Sequence, residues 1–366
     1  MLAGASLFFQ NLHEPRLPDQ ELIHNELELG VLADELGFDF VLGPEHHFSD
    51  YSIACENTQY FSWLAARTKQ IKLFLGAVIL PWHEPIRVAE RVLMLDALSD
   101  GRVIFGMGRG LALREYEAFG IDMSESRARF DESATMVINA LETGYIEGDG
   151  PFYQQKRTQL RPAPSRSFKD RTISVAMSPA SGLAAAENGL TIMCFVQNGV
   201  EPLLPIIQPY REAFLDRWGV EAPPPILTDQ CFCSEDRNYA EEMMREHYFR
   251  GYRSNYDHYR FQDDHFKNIK GYESYAGAAE EQAEISIEEL AETAMASQSY
   301  GTPEDIVENI KKRREVIGDF HALFTASHGG LPHKDVATSL NLIGTQVLPE
   351  IRPLGASTLS ANKSIN

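Results

Sequence analysis

The sequence predicts a (β/α)8 TIM barrel, and three observations carry the prediction. Eight short apolar runs alternate with segments of helical period along most of the 366 residues. The runs at 38–42, 71–80 and 103–107 each lead into a loop that a buried strand would not tolerate. These loops are Pro44-Glu45-His46-His47-Phe48, Pro81-Trp82-His83-Glu84-Pro85 and Gly108-Arg109-Gly110. Lastly, no GxGxxG follows the first run, as an open doubly wound sheet for a dinucleotide would require.

In chain order, residues 2–9 form the first strand and end at Gln10-Asn11 and a proline-bearing loop. Leu22, Leu29, Leu32, Ala33 and Leu36 recur at helical spacing before Gly37, a helix with a glycine stop. The second to fourth strands follow, separated by helices at 54–67 and 85–98, and a further amphipathic helix covers 125–141. Residues 144–167 read as a polar excursion with no clear element. The fifth strand, 172–177, meets Ser178-Pro179, where serine is a good N-cap and proline suits the first helical position. Strand 191–196, helix 202–218 and strand 226–233 complete the seventh unit. After a long acidic and aromatic segment come a capped helix from Thr302, strand 320–326 and a closing helix at 334–348. The expected organisation is one barrel over 1–354, an extended insertion or lid at about 235–299, and a disordered tail at 355–366.

Hydrophobic residues make up 43%, enough for a large core, and the formal net charge is −20. So negative a surface repels phosphate backbones, which argues against nucleic acid, yet a local positive site can still take a phosphorylated cofactor. Cys55, Cys194, Cys231 and Cys233 lack the spacing of a disulfide framework. Without a leader-like start or a membrane-length apolar run, a cytoplasmic protein with no membrane partner is expected.

His46 is the candidate for acid–base work, since it sits at the top of the second strand. A metal centre would need three ligands, and His46, His83, His321 and His328 show neither HxH nor HExxH spacing, so none is expected. Arg109 in its glycine-rich turn offers a planar donor fork. Ser178 and Ser181 open a helix whose first-turn amides favour an anion, so with Arg109 they would clamp a phosphate. Equally, the serines are ordinary caps and Arg109 pairs with a carboxylate. Tyr248, Tyr252, Tyr256 and Tyr259 recur at helical spacing, either as a wall over an organic substrate or as a face packed on the barrel.

The runs GPEHHF, LGAVILP and EPIRVAERVLMLDALSDGRVIFGMGRG, with FGIDM, YGTPEDIVENI and HGGLPHKDVATSLNLIGTQVLPEIRP downstream, resemble the bacterial luciferase-like flavin-dependent monooxygenases of the luciferase and alkanal monooxygenase type. The resemblance covers residues 1–353. It implies reduced FMN supplied by a separate flavin reductase, and O2 used through a flavin C4a-(hydro)peroxide to oxygenate a small organic substrate. It further implies His46 as the catalytic residue, Arg109, Ser178 and Ser181 around the flavin phosphate, and a cis Gly76-Ala77 peptide beside the ring. The segment after the seventh strand does not match a luciferase lid; on the residues alone, Tyr248, Tyr252 and Tyr256 would line the substrate, and the helices at 54–67 and 85–98 would form a homodimer surface, as in luciferase. Gly108 stands where luciferase has its reactive cysteine, and Met177 replaces a glutamate near the phosphate. A deazaflavin (F420)-dependent oxidoreductase and a non-catalytic flavin-binding protein are the alternatives within the resemblance.

Overall fold

All eight apolar runs are strands in the structure, a computed structural model that describes residues 1–269, 272, 275, 277 and 285–359. They are β1 (Ala3–Ser6), β2 (Phe40–Gly43), β3 (Lys72–Ile79), β4 (Val103–Gly108), β7 (Thr172–Val175), β8 (Thr191–Phe195), β9 (Ile226–Cys233) and β11 (His321–Thr325). Parallel pairing runs through them in that order, and β11 returns to β1, closing a cylinder. Around it lie α1 (Asp19–Glu35), α2 (Asn57–Arg67), α3 (Pro85–Leu98), α4 (Leu113–Phe119), α5 (Ser126–Thr143), α6 (Pro179–Glu187), α7 (Leu204–Trp218) and α8 (Arg237–Tyr259). After them come α9 (Ile287–Met295), α10 (Pro303–Ile317) and α11 (His333–Leu342).

Strand alternation divides the core into two layers. Phe40, Leu42, Phe74, Ile104, Ile173, Met193, Ile226 and Leu323 fill the cylinder, whereas their neighbours, such as Val41, Leu73, Leu75 and Phe105, pack outward under the helices. The filled interior leaves the rim at the strand C-termini as the place for ligands. Cys231 and Cys233 are both buried, as a small apolar pair should be.

Two expectations need correction. Residues 145–159 are not featureless: β5 (Tyr145–Asp149) and β6 (Gln154–Gln159) form an antiparallel hairpin outside the barrel. Four of the six residues of β6 are exposed and none is apolar, so no apolar face announces it in the sequence. The segment at 235–299, the expected insertion or lid, has regular structure at both ends. It opens with the 23-residue α8 and ends in β10 (Ser299–Gly301), which pairs with β9. Residues 270, 271, 273, 274, 276 and 278–284 of it lie outside the described residues. Finally, the tail expected to lack order is anchored through Leu359, and only 360–366 fall outside the description. Leu359 is 4% exposed and joins the apolar cluster inside the cylinder, at the end away from the rim. Its carbonyl accepts from Thr191 Oγ1 at 3.2 Å, and the Thr358 carbonyl meets His321 Nε2 at 3.0 Å.

Replacing Leu359 by alanine is expected to cost about 2 kcal/mol, the lower end for a buried leucine because a chain end can partly lift away. Thermal or denaturant unfolding checks this, and an unchanged midpoint would mean the plug contributes nothing.

Candidate active site

The loop after β2 places Glu45 and His46 on opposite sides of the chain. Glu45 turns inward: its Oε2 accepts the Ile79 amide at 3.0 Å, and its Oε1 meets His83 Nε2 at 2.7 Å and His47 Nε2 at 3.2 Å. Burial alone would push this carboxyl up, but the bonds from His47 and His83, the charge of His83 and the Ile79 amide together carry it down to about 2. The same contact raises His83 against the opposing effect of its own burial.

His46 faces the rim and is 15% exposed. Its Nδ1 lies 3.4 Å from Glu115 Oε1, and that oxygen also accepts the His47 amide at 2.7 Å. Glu115 is buried on α4, the helix that follows the Gly-Arg-Gly turn of β4. Aromatic edges surround the imidazole, with Tyr51 at 5.0 Å, His258 at 5.4 Å, Tyr259 at 6.3 Å and Phe8 at 6.4 Å between ring centres. His258, near the end of α8, stacks on Tyr51 at 4.4 Å, and its Nδ1 lies 2.9 Å from Ser49 Oγ. Burial pushes the His258 imidazole down to about 2, with the nearby His46 and Arg114 adding to the effect, so it stays neutral.

Beside this cluster, β3 carries a cis Gly76-Ala77 peptide, and its register against β4 shifts between Leu75 and Val78. Asn57 Nδ2 donates to the Ala77 carbonyl at 3.2 Å. The close approach of β4 here needs glycine at 106, where a Cβ would stand 2.3 Å from the Leu75 carbonyl oxygen. Ala77 and Ile79 belong to an apolar cluster with Trp82, Tyr116, Met123, Phe266 and Tyr272.

Arg109 places its guanidinium 4.1 Å over the Tyr272 ring, and the Tyr272 hydroxyl donates to the Gly110 carbonyl at 2.7 Å. Ser178 and Ser181 form a reciprocal capping box at the start of α6, with the Ser178 amide bonded to Ser181 Oγ at 3.0 Å. The cap reading of the two serines is therefore realised. Because β4 pairs with β7, Arg109 and Ser178 leave neighbouring strands at the same rim.

The tyrosine stripe divides. Tyr248 is buried in the outer core and Tyr252 packs partly against it, so these two face the barrel wall rather than the rim. Tyr256 sits 5.7 Å from Phe261. Tyr259, one turn further on, reaches His46. The histidines considered together as metal ligands do not converge: His321 lies at the opposite end of the barrel, where its Nδ1 meets the Leu2 amide at 3.2 Å. His328 lies under Tyr248. Glu115, His258, Tyr51 and Asn57 were not legible as site residues. Only the position of Glu115, just past a glycine-rich turn, was a usable signal.

A family model described as luciferase-like monooxygenase matches residues 5–319. The alkanal monooxygenase alpha chain of Photobacterium leiognathi is 26% identical over 346 residues, covering 91% of this chain and 94% of that protein. Among solved structures, monooxygenase RslO1 from Streptomyces bottropensis superposes with a TM-score of 0.78 at 26% identity, covering 95% of this chain and 99% of that one. The oxygenating constituent of 3,6-diketocamphane monooxygenase from Pseudomonas putida, a type II Baeyer–Villiger enzyme in complex with FMN, gives 0.75 at 18% identity, over 95% and 98%. An F420-dependent secondary alcohol dehydrogenase shares the fold too, with a TM-score of 0.72 at 14% identity over 96% and 99%. No helix among the described residues is long and apolar enough to cross a membrane.

Proposed function

Because the chain belongs to the luciferase-like monooxygenases, we propose that it takes reduced FMN from a separate reductase and uses O2 to oxygenate a small organic substrate. The observation that carries this reading is the His46 imidazole, held against buried Glu115 at the rim and walled by Phe8, Tyr51 and Tyr259. Glu45 ties that imidazole to the flavin seat, since it precedes His46 in the chain and bonds the Ile79 amide two residues beyond Ala77.

The residues present fit a flat ring and a phosphate. Ala77 and Ile79 offer an apolar floor, and Arg109, Ser178 and Ser181 stand on neighbouring loops. Arg109 is engaged by Tyr272, a cation–π contact worth about 0.5–2 kcal/mol, and a phosphate bonded to both ends of the guanidinium outweighs it. When bound, reduced flavin supplies the two electrons that split dioxygen, one atom entering the substrate and the other leaving as water. The chain does the rest. His46 keeps a proton on Nδ1, directed at Glu115 Oε1, which leaves Nε2 free to take or return a proton at the reacting centre. The described residues of 235–299 are the cover in this reading, with Tyr259 at His46 and Tyr272 at Arg109, and they keep water away from a water-sensitive reaction. Met94 and Leu98 of α3, 50% and 58% exposed, lie on one of the two helices assigned to a homodimer surface.

Binding of purified protein to reduced FMN and to reduced deazaflavin tests the proposal. Preference for the deazaflavin assigns the chain to hydride transfer, and flavin binding without substrate-dependent O2 uptake assigns it to non-catalytic binding. Arg109→Ala is expected to weaken FMN affinity about 10–100-fold, as loss of a hydrogen bond to a charged group does. An unchanged Kd would remove Arg109 from the phosphate site.

A further inference from the structure

Three ligand-type atoms that the monooxygenase reading does not require as a set meet behind His46. Glu115 Oε1 lies 3.4 Å from His46 Nδ1 and 3.7 Å from His258 Nε2, and all three atoms fall within 4.8 Å of one another. The Glu115 and His258 side chains are each 1% exposed. His258 Nε2 is buried and has no hydrogen-bond partner among the described residues, although it points at a carboxylate. A buried imidazole nitrogen left without a partner costs free energy unless something fills the gap.

We propose that His46 Nδ1, Glu115 Oε1 and His258 Nε2 form a binding site for one divalent transition-metal ion of the Zn2+ type. Two imidazoles and a carboxylate are the donor set that Zn2+ takes with a fourth position open. With ligand bonds of about 2.0–2.1 Å, tetrahedral donors stand about 3.3–3.4 Å apart. Two of the separations are already close to this, and the two imidazoles need to draw together by on the order of 1 Å. The outer contacts suit ligation as well. The His47 amide anchors Glu115 Oε1 at 2.7 Å, and Ser49 Oγ holds the far nitrogen of His258 at 2.9 Å. Supports of this kind orient the ligands of metal centres. His258, with Tyr51, lines a cleft of about 550 Å³ between the β2 loop, α8 and α9, so one ligand of the site borders open space. A bound cation takes the place of the proton between His46 and Glu115, so metal and proton compete for one nitrogen.

The test titrates the full chain, dialysed against a chelator, with Zn2+ by calorimetry and with Co2+ by visible absorption. Expected are one equivalent of Zn2+ with micromolar or tighter Kd, and the strong visible bands of four-coordinate Co2+. His258→Ala and Glu115→Gln should each weaken Zn2+ binding at least about 10-fold. The Co2+ spectrum of the unaltered chain decides the matter even if a variant misfolds. Absence of those bands, no stoichiometric uptake, or unchanged affinity in folded His258→Ala would each overturn the site. None of these measurements reads turnover, so their outcome is separate from that of the flavin reading.

Discussion

His46→Ala is expected to lower turnover about 10²–10⁴-fold while FMN affinity stays close to that of the unaltered chain. The asymmetry follows from where the ring points. Its Nδ1 faces Glu115 and its edges meet Phe8, Tyr51, His258 and Tyr259, whereas the floor assigned to the flavin is built by Ala77 and Ile79. Truncation therefore removes a proton carrier without removing the seat. Oxygen uptake with chemically reduced FMN measures the first quantity, and flavin fluorescence titration the second. Equal losses in both would make His46 a structural residue. Recovery of part of the rate by added imidazole would argue that the missing group is the one that moves the proton. Glu115→Gln should slow turnover in the same direction, since an amide cannot stabilise the charged imidazole as a carboxylate does.

The second large effect concerns stability. Glu45→Ala is expected to cost about 3–5 kcal/mol, the usual result of removing one partner from a buried charged network. Three donors, on His47, His83 and Ile79, lose their acceptor together. Acid should act on the unaltered chain in the same way. The folded carboxyl sits at about 2, below its ordinary value of 4.5. Its contribution is complete above pH 4.5 and is lost as pH falls toward 2. Melting curves across this window should show a slope that Glu45→Gln flattens. A Glu45→Gln protein that melts like the unaltered chain, with an unchanged acid slope, would contradict the role given to Glu45.

The barrel was legible because apolar runs that end in polar loops can hardly be anything but strands buried on both faces. The cap at Ser178 was legible for a local reason as well: its partner, Ser181, is three residues away. The hairpin at 145–159 was hidden by its exposure, and Leu359 by a polar tail that sets no apolar period around it. In the tyrosine stripe, helical spacing was correct for all four positions, yet it could not say which turn of α8 had passed beyond the barrel wall. Tyr248 lies below that edge and Tyr259 above it.

Read alone, the chain determined its eight barrel strands, the loop that carries Glu45, His46 and His47, and the family to which these belong, because each of those rests on residues adjacent or a few positions apart. Only tertiary structure decided what His46 touches. Glu115 is 69 residues away along the chain, and His258 is 209 from the Ser49 that orients it. Closing the sheet into a cylinder brings the loops of different strands to one rim, and no periodicity along a single segment records which side chains will meet there.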